Sequence, residues 1–487
     1  MAVQQSSIQL KAPVEYGTPG RVKGGLAKWI LVAFMILLEA MTGILIFRGA
    51  IFDFSLDPYN YSYFALALTV PCVLLNIPLM KKKGKDKIPW YDWALGILAI
   101  GIFIFFGANH WNIQYGAWAS YAPWYAVGPA IIAVLMMLFI AYRVYGPIFA
   151  GICVIFTIFP MVADKAPGIL FGIAIPFRMA MAQFAMGGEG INGIPMQVAA
   201  KLVLGFMMFI ISMLYLGGGR TLIDLAFSLI GRFRGGGAKA AVLGSAVFAS
   251  ISGGPSTNAI TTGSVTIPAM KKTGYPPHYA AAIESCASMG GTLTPPVMGS
   301  VAFIMASFLQ MDYWKVAVAA AIPALLFYIS LFAQVDLYAK KADLRGLTKE
   351  ELPSFWGTLK DGWIFPASLI FFAYALVGLH MSAEAGFFSA ALLLGLYFVV
   401  DPLIKTLLSR SPDRWQSWVR RLKGIPNDLA NIFLSIGKVT ASIVTLFGVI
   451  GLIIAGLTLP GVALALSGGI INLAGSNMWL ILLFGAI

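Results

Sequence analysis

The 487-residue chain is 59% hydrophobic and only 11% charged, whereas soluble domains carry about 25% charged residues. That excludes a soluble globular domain, and apolar stretches near 20 residues recur along the chain, which specifies an all-α polytopic membrane protein. A membrane β-barrel would instead alternate apolar and polar residues over about 10 residues per strand. The net charge of +13 does not mark a nucleic-acid surface, because the basic residues sit in short loops beside apolar runs, as in Lys81-Lys82-Lys83-Gly84-Lys85-Asp86-Lys87.

In chain order, a polar tail over residues 1–26 precedes apolar spans near 27–49, 62–80, 91–108, 125–143 and 147–163. The tail before the first span is too long for a signal peptide, so that span reads as retained. The segment Asn109–Tyr125 carries no charge and is dense in Trp and Tyr, either an interfacial aromatic belt or a docking surface. A Gly-, Pro- and Met-rich stretch runs to about 194, and spans resume near 196–216. Thr221–Phe233 has apolar residues at helical spacing with Arg220, Asp224, Arg232 and Arg234, the pattern of a helix lying in the membrane interface. Later spans fall near 315–338, 362–380, 385–402 and 430–456.

Between these lie two interrupted segments. The stretch 238–270 is broken by Ser252-Gly253-Gly254-Pro255-Ser256-Thr257-Asn258 and continues through Thr261-Thr262-Gly263; it reads as a re-entrant helical hairpin with an unwound tip over 252–263. The stretch 277–308 is a helix broken at Gly290-Gly291-Thr292-Leu293-Thr294-Pro295-Pro296. Two broken membrane segments close together are the sequence mark of a secondary transporter's binding site. Placing the N-terminus inside puts most Lys and Arg in inner loops, provided that 238–270 returns to the side it left. The order of helix 196–216, segment 221–233 and hairpin 238–270 recurs weakly as helix 430–456, Leu459–Ser476 and the run from Asn477. That is an inverted repeat whose second half is incomplete, so the sequence reads as C-terminally truncated.

These segments resemble the fused membrane subunit of a tripartite ATP-independent periplasmic (TRAP) transporter of the type that works with TAXI solute-binding proteins. The resemblance rests on Gly188-Glu189-Gly190-Ile191-Asn192-Gly193-Ile194-Pro195, Gly231-Arg232-Phe233-Arg234-Gly235-Gly236, Ser252-Gly253 with Asn258 and Thr261-Thr262-Gly263, and Thr266-Ile267-Pro268-Ala269-Met270-Lys271-Lys272. It continues through Tyr275-Pro276-Pro277, Glu284, Gly290-Gly291, Pro295-Pro296-Val297-Met298-Gly299 and Gln334-Val335-Asp336-Leu337. Where the family often has Ser, this chain has Gly254. The resemblance implies an elevator-type transporter, with residues 27–145 as a small-subunit-like four-helix region and 146–487 as the transport region, its second repeat begun at about 430. It further implies a multi-pass protein of a bacterial or archaeal inner membrane, its N-terminus cytoplasmic, working as a monomer of fused subunits. A periplasmic solute-binding protein would hand it a small, dicarboxylate-like organic anion. Uptake would be driven by a Na⁺ or H⁺ gradient, with no further cofactor. A related carrier or exchanger that needs no binding protein is the alternative.

Broken helix ends point carbonyls at a cation and amides at a carboxylate. The candidate substrate and ion site is therefore Ser252, Gly253, Gly254, Pro255, Ser256, Thr257, Asn258, Thr261, Thr262, Glu284, Gly290, Gly291, Thr292, Pro295 and Pro296. Neutral oxygens suit Na⁺, and Ser252, Ser256, Asn258, Gly291 and Thr292 are its candidate ligands. For Glu284 three roles stay open: ion coupling, proton carriage or a structural pair. Glu39, in the first span, is expected to pair with a neighbouring helix or a lipid headgroup.

Other signals lead away from an enzyme. Gly188–Gly193 fits a dinucleotide fingerprint in letters only, since no strand precedes it. No Walker-type phosphate loop, catalytic triad or paired catalytic carboxylates occurs. Cys72, Cys153 and Cys286 have no metal-ligand spacing, and His110, His278 and His380 are mutually remote.

Overall fold

The computed structural model describes residues 21–22, 24–47, 57–79, 88–381, 383–408, 414–475 and 477–486. Every regular element among them is a helix. Seven helices are long and apolar enough to cross a membrane, and an eighth span is counted if Phe355–Gly362 and Ile364–Val377, bent by 71°, are taken together. The protein is thus an all-helical polytopic membrane protein. Two of the expected spans fall short of that measure. The expected span 62–80 corresponds to the helix Pro58–Asn76, and the run Tyr59-Asn60-Tyr61-Ser62-Tyr63 lowers its apolar average. Residues 147–163 are largely the 12-residue helix Pro147–Ile158, which is about 18 Å long.

The chain forms two compact units, Gly20–Lys201 with Thr440–Ile487, and Leu202–Val439. In the first, α1 (Gly25–Ile46), α2 (Pro58–Asn76), α3 (Trp90–Ala108), α4 (Trp124–Tyr145), α5 (Pro147–Ile158) and α6 (Phe177–Met186) precede the returning C-terminal segment. Helices α2 and α3 pack closely because Gly96 and Gly107 offer no side chain: a Cβ on Gly107 would meet Asn60 Oδ1 at 3.1 Å. At one end of this pair a buried ion cluster forms. Arg143 Nη1 and Nη2 donate to Asp92 Oδ1 and Oδ2 at 2.6 and 2.9 Å, and Arg21 Nη2 donates to the same carboxylate. Both guanidiniums also donate to the Leu74 and Ile77 carbonyls at the C-terminal end of α2. Glu39 is buried, and both of its oxygens lack a hydrogen-bond partner among the described residues, so no pairing with a neighbouring helix is made there.

Gly190, the middle glycine of the nucleotide-fingerprint mimic, serves packing in this unit. A Cβ on Gly190 would lie 2.1 Å from the Phe184 carbonyl, and one on Gly451 would lie 2.0 Å from the Gly190 carbonyl. The returning helix therefore sits backbone to backbone on the 188–193 turn.

In the unit Leu202–Val439, α7 (Leu204–Tyr215) and α8 (Gly218–Ile230) lead into α9 (Gly236–Ser252), α10 (Pro255–Lys272) and α11 (Pro277–Met289). After them come α12 (Ser300–Phe308), α13 (Tyr313–Lys341), α14 (Phe355–Gly362), α15 (Ile364–Val377) and α16 (Ala383–Gly395). The segment read as interfacial is α8, a helix that buries Leu222, Ile223, Ala226 and Phe227 and turns Arg220 toward Asp224 on its exposed side. Helix α7 crosses α16 at glycine: a Cβ on Gly386 would lie 2.3 Å from the Gly205 carbonyl. Farther along α16, Gly395 has open space. Gly386→Leu is accordingly expected to cost about 3 kcal/mol or more, the upper end for overpacking. Gly395→Leu should unfold like the parent chain, and thermal unfolding in detergent compares the two.

Candidate functional site

The interrupted segments are narrower than their composition suggests. Residues 252–263 are not one loop: the chain leaves helix only at Gly253-Gly254 and re-enters it at Pro255. Proline at the first helical position has its fixed φ in register and lacks an amide that would have no partner there. Within the stretch that reads as loop, Thr262 Oγ1 lies 2.8 Å from the Asn258 carbonyl of its own helix, and just beyond it Ser264 Oγ donates to Thr261 O at 2.8 Å. Gly253 makes the turn with φ +60°.

Helices α9 and α10 lie antiparallel for their whole length. Near the tip Asn258 Nδ2 donates to Ser245 O at 3.1 Å. At the base a Cβ on Gly237 would touch Thr273 Oγ1 at 2.7 Å. The second break runs from Gly290 to Gly299: a short 3-10 turn, Gly290–Thr292, then irregular chain to the start of α12. It includes the cis bond Pro295–Pro296 and Met298 at φ +57°.

The two breaks meet. Val297 N donates to Ser250 O at 3.2 Å, and a Cβ on Gly253 would lie 2.2 Å from the Met298 carbonyl. A Cβ on Gly291 would meet the Ala249 Cβ at 3.0 Å. Only backbones without side chains approach this closely. Tyr313 braces the second break by donating to the carbonyls of Pro296 and Val297. Helices α10 and α12 both begin at this junction, and neither has a side-chain cap at its N-terminus. Their free amides and dipole ends favour negative charge. The α9 end adds Ser252 Oγ, which is buried and lacks a hydrogen-bond partner.

The candidate residues divide into two groups. Ser252, Gly253, Gly254, Pro255, Ser256, Gly290, Gly291, Thr292, Pro295 and Pro296 surround the junction, with Ser256 and Thr292 exposed and Gly290 and Gly291 buried. The side chain of Thr257 lies outside the described residues. Asn258, Thr262 and Glu284 form the second group, below the tip and inside the hairpin. Asn258 does not turn its amide toward the junction; it ties the two arms together. Thr261 is buried one residue before Thr262. Glu284, on α11, is 1% exposed and is ringed by hydroxyls. Ser245 Oγ and Ser288 Oγ donate to Oε1 at 2.7 and 3.2 Å, Thr262 Oγ1 donates to Oε1, and Thr266 Oγ1 donates to Oε2. Sequence reasoning missed Ser245, Thr266 and Ser288. The available signal was spacing: Asn258, Thr262 and Thr266 recur every four residues, as do Glu284 and Ser288, which puts each set on one helical face.

Among the described residues no group of three or more His, Cys, Asp and Glu is placed to hold a metal ion. The chemistry on offer is helix ends, neutral oxygens and one caged carboxyl. The family model for the "Tripartite ATP-independent periplasmic transporter, DctM component" matches residues 133–487. The chain belongs to the DctM family. This is a family of transporter permeases, not of enzymes. A C4-dicarboxylate TRAP transporter large permease protein from Pseudomonas aeruginosa is 31% identical over 151 residues, 29% of this chain and 35% of the relative. An isethionate TRAP transporter permease protein from Oleidesulfovibrio alaskensis is 33% identical over 152 residues, 30% of this chain and 24% of the relative. A 2,3-diketo-L-gulonate TRAP transporter large permease protein from Escherichia coli is 23% identical over 234 residues, 45% of this chain and 55% of the relative. The chain therefore spans well under two thirds of each of these relatives.

Proposed function

We propose that this DctM-family chain is the permease of a secondary importer for a small organic anion, with dicarboxylates as the first class to test. A periplasmic solute-binding protein of the TAXI type delivers the solute, and a Na⁺ or H⁺ gradient across a bacterial inner membrane drives entry. Residues 27–145 take the part of a fused small subunit, and the hairpin of α9 and α10 is re-entrant.

One observation carries the reading of the site: two uncapped helix N-termini and the unpartnered Ser252 hydroxyl converge where both helix breaks touch. The amide ends of α10 and α12 receive a carboxylate of the solute. The carbonyl end of α9, with Ser252 and Ser256, takes the coupling cation. Filling both sites neutralises the helix ends, so that the transport region can cross as an elevator. C4-dicarboxylates carry the carboxylate that this arrangement receives, and relatives named for them support that choice.

The test is uptake of labelled C4-dicarboxylate by proteoliposomes, with and without the binding protein and under imposed Na⁺ or pH gradients. Ser252→Ala is expected to lower uptake at least about tenfold, equivalent to roughly 1.4 kcal/mol. Its thermal stability should stay unchanged, because the Ser252 hydroxyl contributes no hydrogen bond to the fold. Wild-type rates in Ser252→Ala would remove the junction from the site. Uptake without binding protein would instead identify a free-standing carrier.

A further inference from the structure

We infer that the hydroxyl cage around Glu284 is a built proton site, able to hold this carboxyl group charged or neutral with the same heavy-atom positions. This goes beyond the tip site proposed above, and its transport arm rests on that reading.

The argument is a count of protons. Four hydroxyls, from Ser245, Thr262, Thr266 and Ser288, lie within hydrogen-bond distance of one carboxyl group. They come from three helices, α9, α10 and α11. If Glu284 is ionised, all four donate to it. Such charge-assisted bonds are what a carboxylate without a cation partner needs in a dry interior.

Two of the four have a second acceptor already in place. Thr262 Oγ1 lies 2.8 Å from the Asn258 carbonyl, and Thr266 Oγ1 lies 3.0 Å from the Thr262 carbonyl. When a proton from water binds Oε2, that O–H donates to Thr266 Oγ1. The Thr266 hydroxyl then rotates its own proton to the Thr262 carbonyl, and Thr262 is free to turn to Asn258 O. Ser245 and Ser288 still donate to Oε1. The carboxyl group and the four hydroxyls each keep a partner in both states, and apart from the added proton only hydroxyl protons move. A carboxyl pinned by cations or amides lacks this symmetry, because such donors cannot become acceptors.

The surroundings keep other charges away. On α9 the ionisable side chain is Lys239, six residues toward the base from Ser245 and paired with Asp336. On α10 they are Lys271 and Lys272, exposed at its far end. On α11 itself His278 and Tyr279 lie at least five residues before Glu284, and the Cys286 thiol, two residues after it, is exposed. The turn 290–294 carries none. On α13 Tyr328 is the titratable group close enough to feel the Glu284 charge, and its hydroxyl is committed to the Ala287 carbonyl at 3.0 Å.

Glu284→Gln copies the neutral state, since its amide N–H can donate to Thr266 while its carbonyl accepts from Ser245 and Ser288. Infrared difference spectra of the purified full chain, taken across the range of about pH 4 to 9 that brackets ordinary carboxyl values, should show a buried carboxylic C=O band. The band should vanish in Glu284→Gln and persist in Glu39→Gln, the control for a buried carboxyl group whose oxygens lack hydrogen-bond partners. Melting temperature should match the parent in Glu284→Gln and fall in Glu284→Ala, where the buried hydroxyls lose the carboxyl group they share. In proteoliposomes Glu284→Gln should lose pH-gradient-driven uptake yet keep solute exchange. A pH-difference spectrum that Glu284→Gln leaves unchanged overturns the proton site. So does a Glu284→Gln protein whose driven uptake follows pH like the parent while Ser252→Ala is inactive; the transporter reading then stands. If the parent moves no solute, it is that reading that fails, and the infrared result alone decides the proton site.

Discussion

Asp92→Ala is expected to be the most destabilising single substitution in the unit built on α1 to α6. Asp92 sits in the first turn of α3 and Arg143 in the last turn of α4, so each charge lies at the helix end whose dipole favours it. The two guanidiniums facing Asp92 also cap the open C-terminal carbonyls of α2. Removing the acid leaves two buried cations without a counter-charge. Removing Arg143 leaves a one-to-one Arg21–Asp92 pair and an Ile77 carbonyl with a weaker donor. Breaking a buried pair typically costs about 3–5 kcal/mol, much of it the stranded charge. Asp92→Ala should fall at the top of that range and Arg143→Ala below it. The double variant should lose less than the sum, since it strands only Arg21. Unfolding of the four proteins in detergent, read as a double-mutant cycle, gives the coupling. Additive losses would mean that the cluster is incidental to the fold.

That cluster was illegible in the sequence for a physical reason. Arg143 follows an apolar run and scores as a cytoplasmic topology charge, while Asp92 opens a span and looks like an interfacial acid. They are 51 residues apart, and only the packing of α2, α3 and α4 brings them together out of water. Hydropathy has no term for a partner. Most span positions, by contrast, were legible, because the need for about 20 apolar residues acts on composition alone.

The hairpin was legible for a different reason, and only in part. Gly253-Gly254-Pro255 carries the turn in its backbone chemistry: a residue with φ +60°, a flexible link and a helix-starting proline. The Ser and Thr residues that follow were misread as loop because small polar residues favour turns when water competes for the backbone. Of these, Thr262 bonds either to the Asn258 carbonyl or to Glu284 on a neighbouring helix, as Thr266 beyond the expected loop does to the Thr262 carbonyl or to Glu284. On a membrane helix, small polar residues mark close packing as readily as they mark a site.

Gly253→Ala should abolish transport with little loss of folded protein. Two costs add at this position. A non-glycine residue at φ +60° gives up roughly 1–2 kcal/mol, and the new Cβ would lie 2.2 Å from the Met298 carbonyl. That carbonyl cannot retreat freely, since the adjoining Val297 is bonded to Ser250 through its amide and to Tyr313 through its carbonyl. The strain is relieved by parting the two breaks at the one place where the uncapped ends of α10 and α12 converge. Gly254 is the internal control: its φ of −120° and ψ of 117° are extended backbone that alanine adopts without strain. Uptake per unit of membrane-inserted protein should therefore fall more than about tenfold in Gly253→Ala, the effect of losing only about 1.4 kcal/mol, and stay close to the parent in Gly254→Ala. Equal rates for the two variants would show that contact between the hairpin tip and the 297–299 segment is not needed to hold the solute. The binding site would then have to be sought away from the junction.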